Sequence, residues 1–148
     1  MKTLAINRRA GFDYELMDRY EAGLELTGAE VKSVKTGHIS LKGSFVTAHG
    51  DELFLTNALI PPYPQAHKDT HHEDTRSRRL LLRRSEIRSL IGKSRVEGLT
   101  LVPVRVYTKK RLVKLEFAVG KGKRRVDKRE TIKKREARKD IGRAMRSK

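Results

Sequence analysis

The chain has 148 residues, enough for one domain with a real core and too few for two ordinary domains joined by a linker. With 36% hydrophobic, 5% aromatic and 36% charged residues, the core is expected to be small. A net charge of +17 favours a polyanionic partner, nucleic acid before anionic membrane, because lysines and arginines that neutralise phosphates release condensed counterions.

The charge is uneven. Residues 120–148 hold 14 Lys or Arg against 4 Asp or Glu, so more than half of the excess sits in the last fifth of the chain. The absence of cysteine excludes disulfides and thiolate metal sites and suits a reducing cytosol. No apolar run reaches the ~18 residues of a membrane span, and the first nine residues carry no apolar stretch like a secretory signal. The expectation is a soluble, cytoplasmic protein with no membrane partner.

In chain order, residues 1–11 are short, basic and without period, which suggests an arm leading into the domain. Tyr14, Leu16, Tyr20, Leu24 and Leu26 then alternate with charged residues, as in one long bent strand or two short ones, with Gly23 as the bend or bulge. Thr27-Gly28-Ala29-Glu30 fits a capping box. A helix of about two to three turns should follow, with Val31 and Val34 inward, Lys32 and Lys35 outward and Gly37 past its end.

Residues 45–48 and 53–55 flank His49-Gly50-Asp51 and read as a hairpin. Residues 60–74 hold three of the four prolines and read as an irregular, mobile connection. Leu80-Leu81-Leu82, between arginine pairs, has the length of a short strand, and Ser85 offers an N-cap for a helix through Ile87, Leu90 and Ile91. Residues 99–107 and 112–119 are rich in β-branched residues and form a second hairpin, with Pro103 pointing to an edge strand or a bulge.

Short strands in meander order with inserted helices suggest a mainly β fold, an antiparallel barrel of the oligonucleotide-binding type with short flanking helices. The strand signal stops at Gly120, so residues 1–119 are expected to form the barrel domain and residues 120–148 a basic tail, disordered when free. Within the tail, Ala137, Ile141, Ala144 and Met145 share one helical face, which favours a helix only on a surface that neutralises its charge.

Catalytic and cofactor chemistry finds little support. Gly120-Lys121-Gly122-Lys123-Arg124-Arg125 lacks the spacing and the hydroxyl of a nucleotide-binding phosphate loop and reads as a flexible basic linker that touches RNA phosphates. His67, His71 and His72 with Glu73 and Asp74 carry metal-ligand atoms, but their proline-rich segment lacks the required preorganisation. No nucleophile stands beside a base. Glu30 is explained by its capping box, and by pattern alone Glu21 faces solvent.

Six blocks in series carry a family resemblance: Asn7-Arg8-Arg9-Ala10, then Tyr20-Glu21-Ala22-Gly23-Leu24-Glu25-Leu26-Thr27-Gly28-Ala29-Glu30-Val31-Lys32-Ser33-Val34-Lys35, Ser44-Phe45-Val46, Arg76-Ser77-Arg78-Arg79-Leu80-Leu81-Leu82, Gly98-Leu99-Thr100-Leu101-Val102-Pro103, and Gly120-Lys121-Gly122-Lys123 followed by Asp127-Lys128-Arg129. In this order they resemble the SsrA-binding protein family. The resemblance implies an oligonucleotide-binding barrel that grips the tRNA-like end of transfer-messenger RNA and stands in for its missing anticodon arm. It makes Asn7, Glu21 and Leu81 important for RNA binding, a carboxylate being able to accept from guanine N1–H and N2–H. The basic residues of the matching blocks join them as candidate RNA contacts: Arg8, Arg9, Lys32, Lys35, Arg76, Arg78, Arg79, Lys121 and Lys123.

By the same resemblance the tail enters the small subunit of a ribosome whose messenger has run out and folds as a helix in the vacant decoding region and messenger path. Asp127, Lys128, Arg129, Lys133, Lys134, Arg135 and Arg138 are its candidate ribosome contacts, and elongation factor Tu joins as a partner through the RNA. The chain departs from the family at Val126, where relatives present a His or Tyr able to stack on a base. Two rival classes are a structural ribosomal protein with a basic extension, which would co-purify with all ribosomes, and a metal-dependent nuclease, for which no cluster of carboxylates is seen.

Overall fold

The structure, a computed structural model, describes residues 1–63 and 73–123. Among the described residues, seven strands and three helices follow in chain order: β1 (Lys2–Ile6), α1 (Ala10–Asp13), β2 (Tyr14–Leu24), α2 (Gly28–Lys35), β3 (Phe45–His49), β4 (Glu52–Thr56), β5 (Arg78–Leu81), α3 (Arg84–Ser94), β6 (Leu99–Lys109) and β7 (Leu112–Gly122). All pairings are antiparallel, in the order β1-β6-β7-β2-β5-β4-β3. The sheet coils until β3 packs on β6, so the mainly β barrel expected from the sequence is what forms.

The period of two decides which side chains fill it. Ala22, Leu24, Leu80, Val106, Leu115 and Phe117 point inward and are buried with Leu53 and Leu55 of the first hairpin. Helix α3 adds Ile87, Leu90 and Ile91 from one stripe, and α2 adds Val34. The capping box forms: the Thr27 hydroxyl accepts from the Glu30 amide, and Glu30 Oε1 accepts from the Thr27 amide at 2.9 Å. Gly37 takes a φ of +87° beyond the helix end, where a Cβ would be strained.

Several expectations are corrected. The first residues are a strand: Lys2–Ile6 pairs with β6, a partner roughly a hundred positions away that local pattern does not reveal. β7 does not stop at Val119, because Gly120, Lys121 and Gly122 pair with Leu16, Glu15 and Tyr14. Gly120 belongs there for want of space, since a Cβ would sit 2.8 Å from Val102 Cγ2. Helix α3 starts at Arg84 with Arg83 at its N-cap, so Ser85 lies inside the first turn. β2 is one strand whose bulge falls between Leu16 and Arg19, and Gly23 pairs regularly. Pro103 does mark a bulge, in a strand flanked on both sides.

Candidate nucleic-acid interface

The outer face of β2, β7 and β6 is polar, and its register sets two carboxylates side by side. Glu21 pairs with Glu116, and like charges directly opposite repel. Each is neutralised by different neighbours. Glu116 accepts from Arg105 Nε and, at 3.0 Å, from Arg19 Nη1. Glu21 Oε2 accepts from the Tyr107 hydroxyl, and Lys109 Nζ lies 3.5 Å from Oε1.

These contacts hold Glu21 ionised. The Tyr107 hydrogen bond is the largest cause and the charges of Lys109 and Lys114 add to it, against a smaller cost of burial, so the carboxyl sits below the usual range. Tyr107 is pushed the other way, by burial and by the carboxylate that accepts its hydrogen. The guanidinium of Arg105 covers the phenol ring at 4.6 Å. Glu21 remains about a third exposed, with Oε1 met only by the distant lysine, so it can accept further hydrogen bonds.

Leu81 lies beside this group because β5 alternates: Arg78 and Leu80 point in, Arg79 and Leu81 point out. It packs over Gly23, where a Cβ would meet Leu81 Cβ at 3.2 Å. A cavity of about 500 Å³ is lined by Glu21 and Leu81 together with Arg79, Arg83, Arg84 and Glu52. Arg79 is itself paired with Glu25 at 2.6 Å and lies 3.6 Å from Glu52.

The same alternation corrects the reading of Arg78 as an RNA contact. Its side chain is fully buried, donating from Nε to Glu30 Oε2 at 2.9 Å and from Nη1 to the Ala58 carbonyl at 2.7 Å. Arg76, partly exposed, donates to both oxygens of Glu30 and to the Glu25 carbonyl. Burial works against the Glu30 charge, but hydrogen bonds from Arg76, the Thr27 amide and Arg78 outweigh it and bring the carboxyl down to about 2. The pair of arginines therefore ties α2 to β5.

A third region sits at the other end of β6. The Asn7 side-chain amide donates to the Pro103 carbonyl at 2.8 Å and its backbone amide donates to Val104, fastening β1 at the β6 bulge. Arg8 and Arg9 are exposed, Arg9 pairing with Asp13 at 3.2 Å over the Phe12 ring. Lys121 projects from the end of β7, and Lys123 Nζ donates to the Gly11 carbonyl at 2.9 Å. Five residues of β6, roughly 17 Å, separate Val104 from Lys109 near Glu21, so the candidates do not converge on one point. Lys32 and Lys35 stand exposed on α2.

A model of the SmpB protein family matches residues 4–147 of this chain. The chain belongs to the SmpB family. Among relatives, an SsrA-binding protein of Nostoc punctiforme is 46% identical over 146 residues, covering 99% of this chain and 94% of the relative. One of Chloroflexus aurantiacus is 47% identical over 142 residues, covering 96% and 89%. A solved chain described under "tmRNA-SmpB: a journey to the center of the bacterial ribosome" superposes with a TM-score of 0.67 at 41% identity, covering 86% of this chain and 92% of that one.

Set against the SmpB family, two parts of the sequence reading lie outside the described residues: the tail candidates Asp127, Lys128, Arg129, Lys133, Lys134, Arg135 and Arg138, and the histidines His67, His71 and His72. Among the described residues, no three metal-ligating side chains are grouped to hold an ion, and no helix is long and apolar enough to cross a membrane. The sequence reading missed Arg105, Tyr107 and Lys109 as partners of the carboxylate face. The signal was present, since Arg105-Val106-Tyr107-Thr108-Lys109 alternates and Val106 is the inward member.

Proposed function

We propose that this chain binds the tRNA-like domain of transfer-messenger RNA and delivers it to stalled ribosomes for trans-translation, acting as an adaptor and not as an enzyme. Support comes from the relatives named SsrA-binding protein and from the solved chain whose description places SmpB with tmRNA and the bacterial ribosome. The observation that carries the reading is Glu21, a partly exposed carboxylate oriented by the Tyr107 hydroxyl on the outer face of a protein of net charge +17.

A carboxylate repels phosphate, so its place on an RNA-binding face needs a specific acceptor role. Reading an unpaired guanine through N1–H and N2–H supplies one. Leu81 would pack against the recognised nucleotide with Arg79 beside it, while Arg8, Arg9, Lys32, Lys35, Lys121 and Lys123 supply phosphate contacts elsewhere along the RNA. Asn7 acts by holding β1 at the β6 bulge, which positions Arg8 and Arg9. Arg76 acts mainly through Glu30.

The tail beyond Lys123 occupies the vacant decoding region and messenger path, where an intact messenger would exclude it sterically. Elongation factor Tu acts with it through the aminoacylated RNA, in the cytoplasm. The experiment is alanine transfer to nascent chains on ribosomes with truncated messenger, run beside binding of the tRNA-like fragment. Deleting residues 127–148 should abolish transfer and spare RNA binding. Normal transfer by the shortened chain would refute the tail's role, and parallel loss of RNA binding would make the tail part of the grip.

A further inference from the structure

The hairpin between β6 and β7 turns in two residues, Lys110 and Arg111, because Lys109 pairs with Leu112. Both turn residues are left-handed, with φ of 49° and 68°. A two-residue turn of this hand matches the twist of the strands, and Asn-Gly, Asp-Gly or Gly-Gly normally fill it, because a Cβ crowds the next carbonyl there. Here two long cations fill it, with no short polar side chain to offset the strain locally. Both are exposed, and among the described residues neither side chain has an ion-pair or hydrogen-bond partner. The tip thus bears strain that no packing explains, as at sites kept for what they present.

An apolar cleft adjoins it. Leu112 is 59% and Leu81 46% exposed, and they wall a cavity of about 240 Å³ with Leu26 and Val31, while Arg111 and Lys114 stand at its rim. No carboxylate lines it. Leu81 also borders the Glu21 cavity, so the two recesses share a wall.

We propose that the Lys110-Arg111-Leu112 tip is a further RNA-contact element. An unpaired base lies in the Leu81–Leu112 cleft, and the phosphates flanking it are held by Lys110, Arg111 and Lys114. This rests on the RNA-binding reading above and extends it from Leu81 to Lys110, Arg111, Leu112 and Lys114, residues not so far assigned to RNA. Charge selects the occupant: an apolar floor with a purely cationic rim fits a nucleotide, whereas a second copy of this chain would bring a +17 partner against like charge.

The test uses the full chain and the tRNA-like RNA fragment, titrated across a series of salt concentrations. Replacing Lys110→Asn together with Arg111→Gly supplies the turn's preferred residues, so the melting temperature should rise by about 3 °C. Affinity should fall roughly tenfold, and the log-log salt slope should lose about two phosphate contacts. Leu112→Ser should weaken binding severalfold with the slope and melting temperature unchanged. Wild-type affinity and slope in both variants would overturn the site. So would sedimentation showing a dimer that Leu112→Ser dissociates, since the cleft would then hold a second copy. Failure of the unaltered chain to bind the fragment would instead sink the RNA-binding reading itself.

Discussion

Tyr107 and Glu21 meet on the outer face of the barrel, the phenol donating to one carboxylate oxygen while the other stays open beside Lys109. They come from strands that are not neighbours, since β7 lies between β2 and β6, so the bond spans the sheet. Tyrosine is the only neutral donor among the contacts that set the Glu21 charge, and it leads them.

Tyr107→Phe should therefore raise the Glu21 pKa toward its ordinary 4.5 and leave the barrel folded. If the ionised carboxylate accepts from RNA, binding in the variant should fade at a higher pH than in the unaltered chain. At neutral pH the carboxylate is ionised in both proteins, so a fall in affinity there, about two- to tenfold, reports only the loss of the hydrogen bond that orients it. Carboxyl NMR titration gives the first quantity, and RNA titration at two pH values gives the second.

Glu30 contributes to acid stability, alongside Glu21 and Glu116, whose carboxyls are also held below the usual range. Its pKa drops from 4.5 to about 2 on folding, so its contribution is complete above 4.5 and is lost as pH falls toward 2. The shift corresponds to on the order of 3 kcal/mol for this buried carboxylate. Urea unfolding followed from pH 5 to pH 2 should show the loss, and Glu30→Gln should flatten it. Arg78→Met, which strips the same carboxylate of its buried partner, should cost about 3–5 kcal/mol at neutral pH. The fraction that remains folded should bind RNA as the unaltered chain does.

Gly120→Ala should destabilise the barrel by about 1–3 kcal/mol, since the new Cβ meets the buried Val102 at 2.8 Å and Tyr14 Cβ at 3.1 Å. Thermal melting checks it. Gly122→Ala, where a Cβ meets nothing within 4 Å, should be close to neutral.

What was legible in the sequence was what local chemistry decides. Thr27 and Glu30 announce their capping box, the first hairpin follows from its strand-like runs around Gly50-Asp51, and the second from its β-branched runs alone. What was not legible depends on distant partners. Lys2–Ile6 becomes a strand only because β6 offers an edge, and Gly120 resembles Gly122 two residues on until Val102 and Tyr14 close over it. The run Arg76-Ser77-Arg78-Arg79 looks uniformly basic and external. Strand parity turns Arg78 inward, where Glu30, already accounted for by its cap, supplies the counter-charge. At Glu21, pattern alone gave a solvated residue and only the family resemblance pointed to RNA.

The central claim is that an ionised Glu21 on the barrel face reads the tRNA-like domain of transfer-messenger RNA. Glu21→Ala tests it most directly, because the side chain lies outside the core and its removal spares the packing of Ala22 and Leu115 beneath. The measurement is a titration of the tRNA-like fragment with the unaltered and substituted full chains, with circular dichroism and melting recorded on both. The account predicts at least tenfold weaker binding, a loss of about 1.4 kcal/mol or more, by a protein that stays folded but melts somewhat lower because the buried Tyr107 hydroxyl loses its acceptor. Unchanged or tighter binding, as expected if the carboxylate merely repelled phosphate, would contradict it.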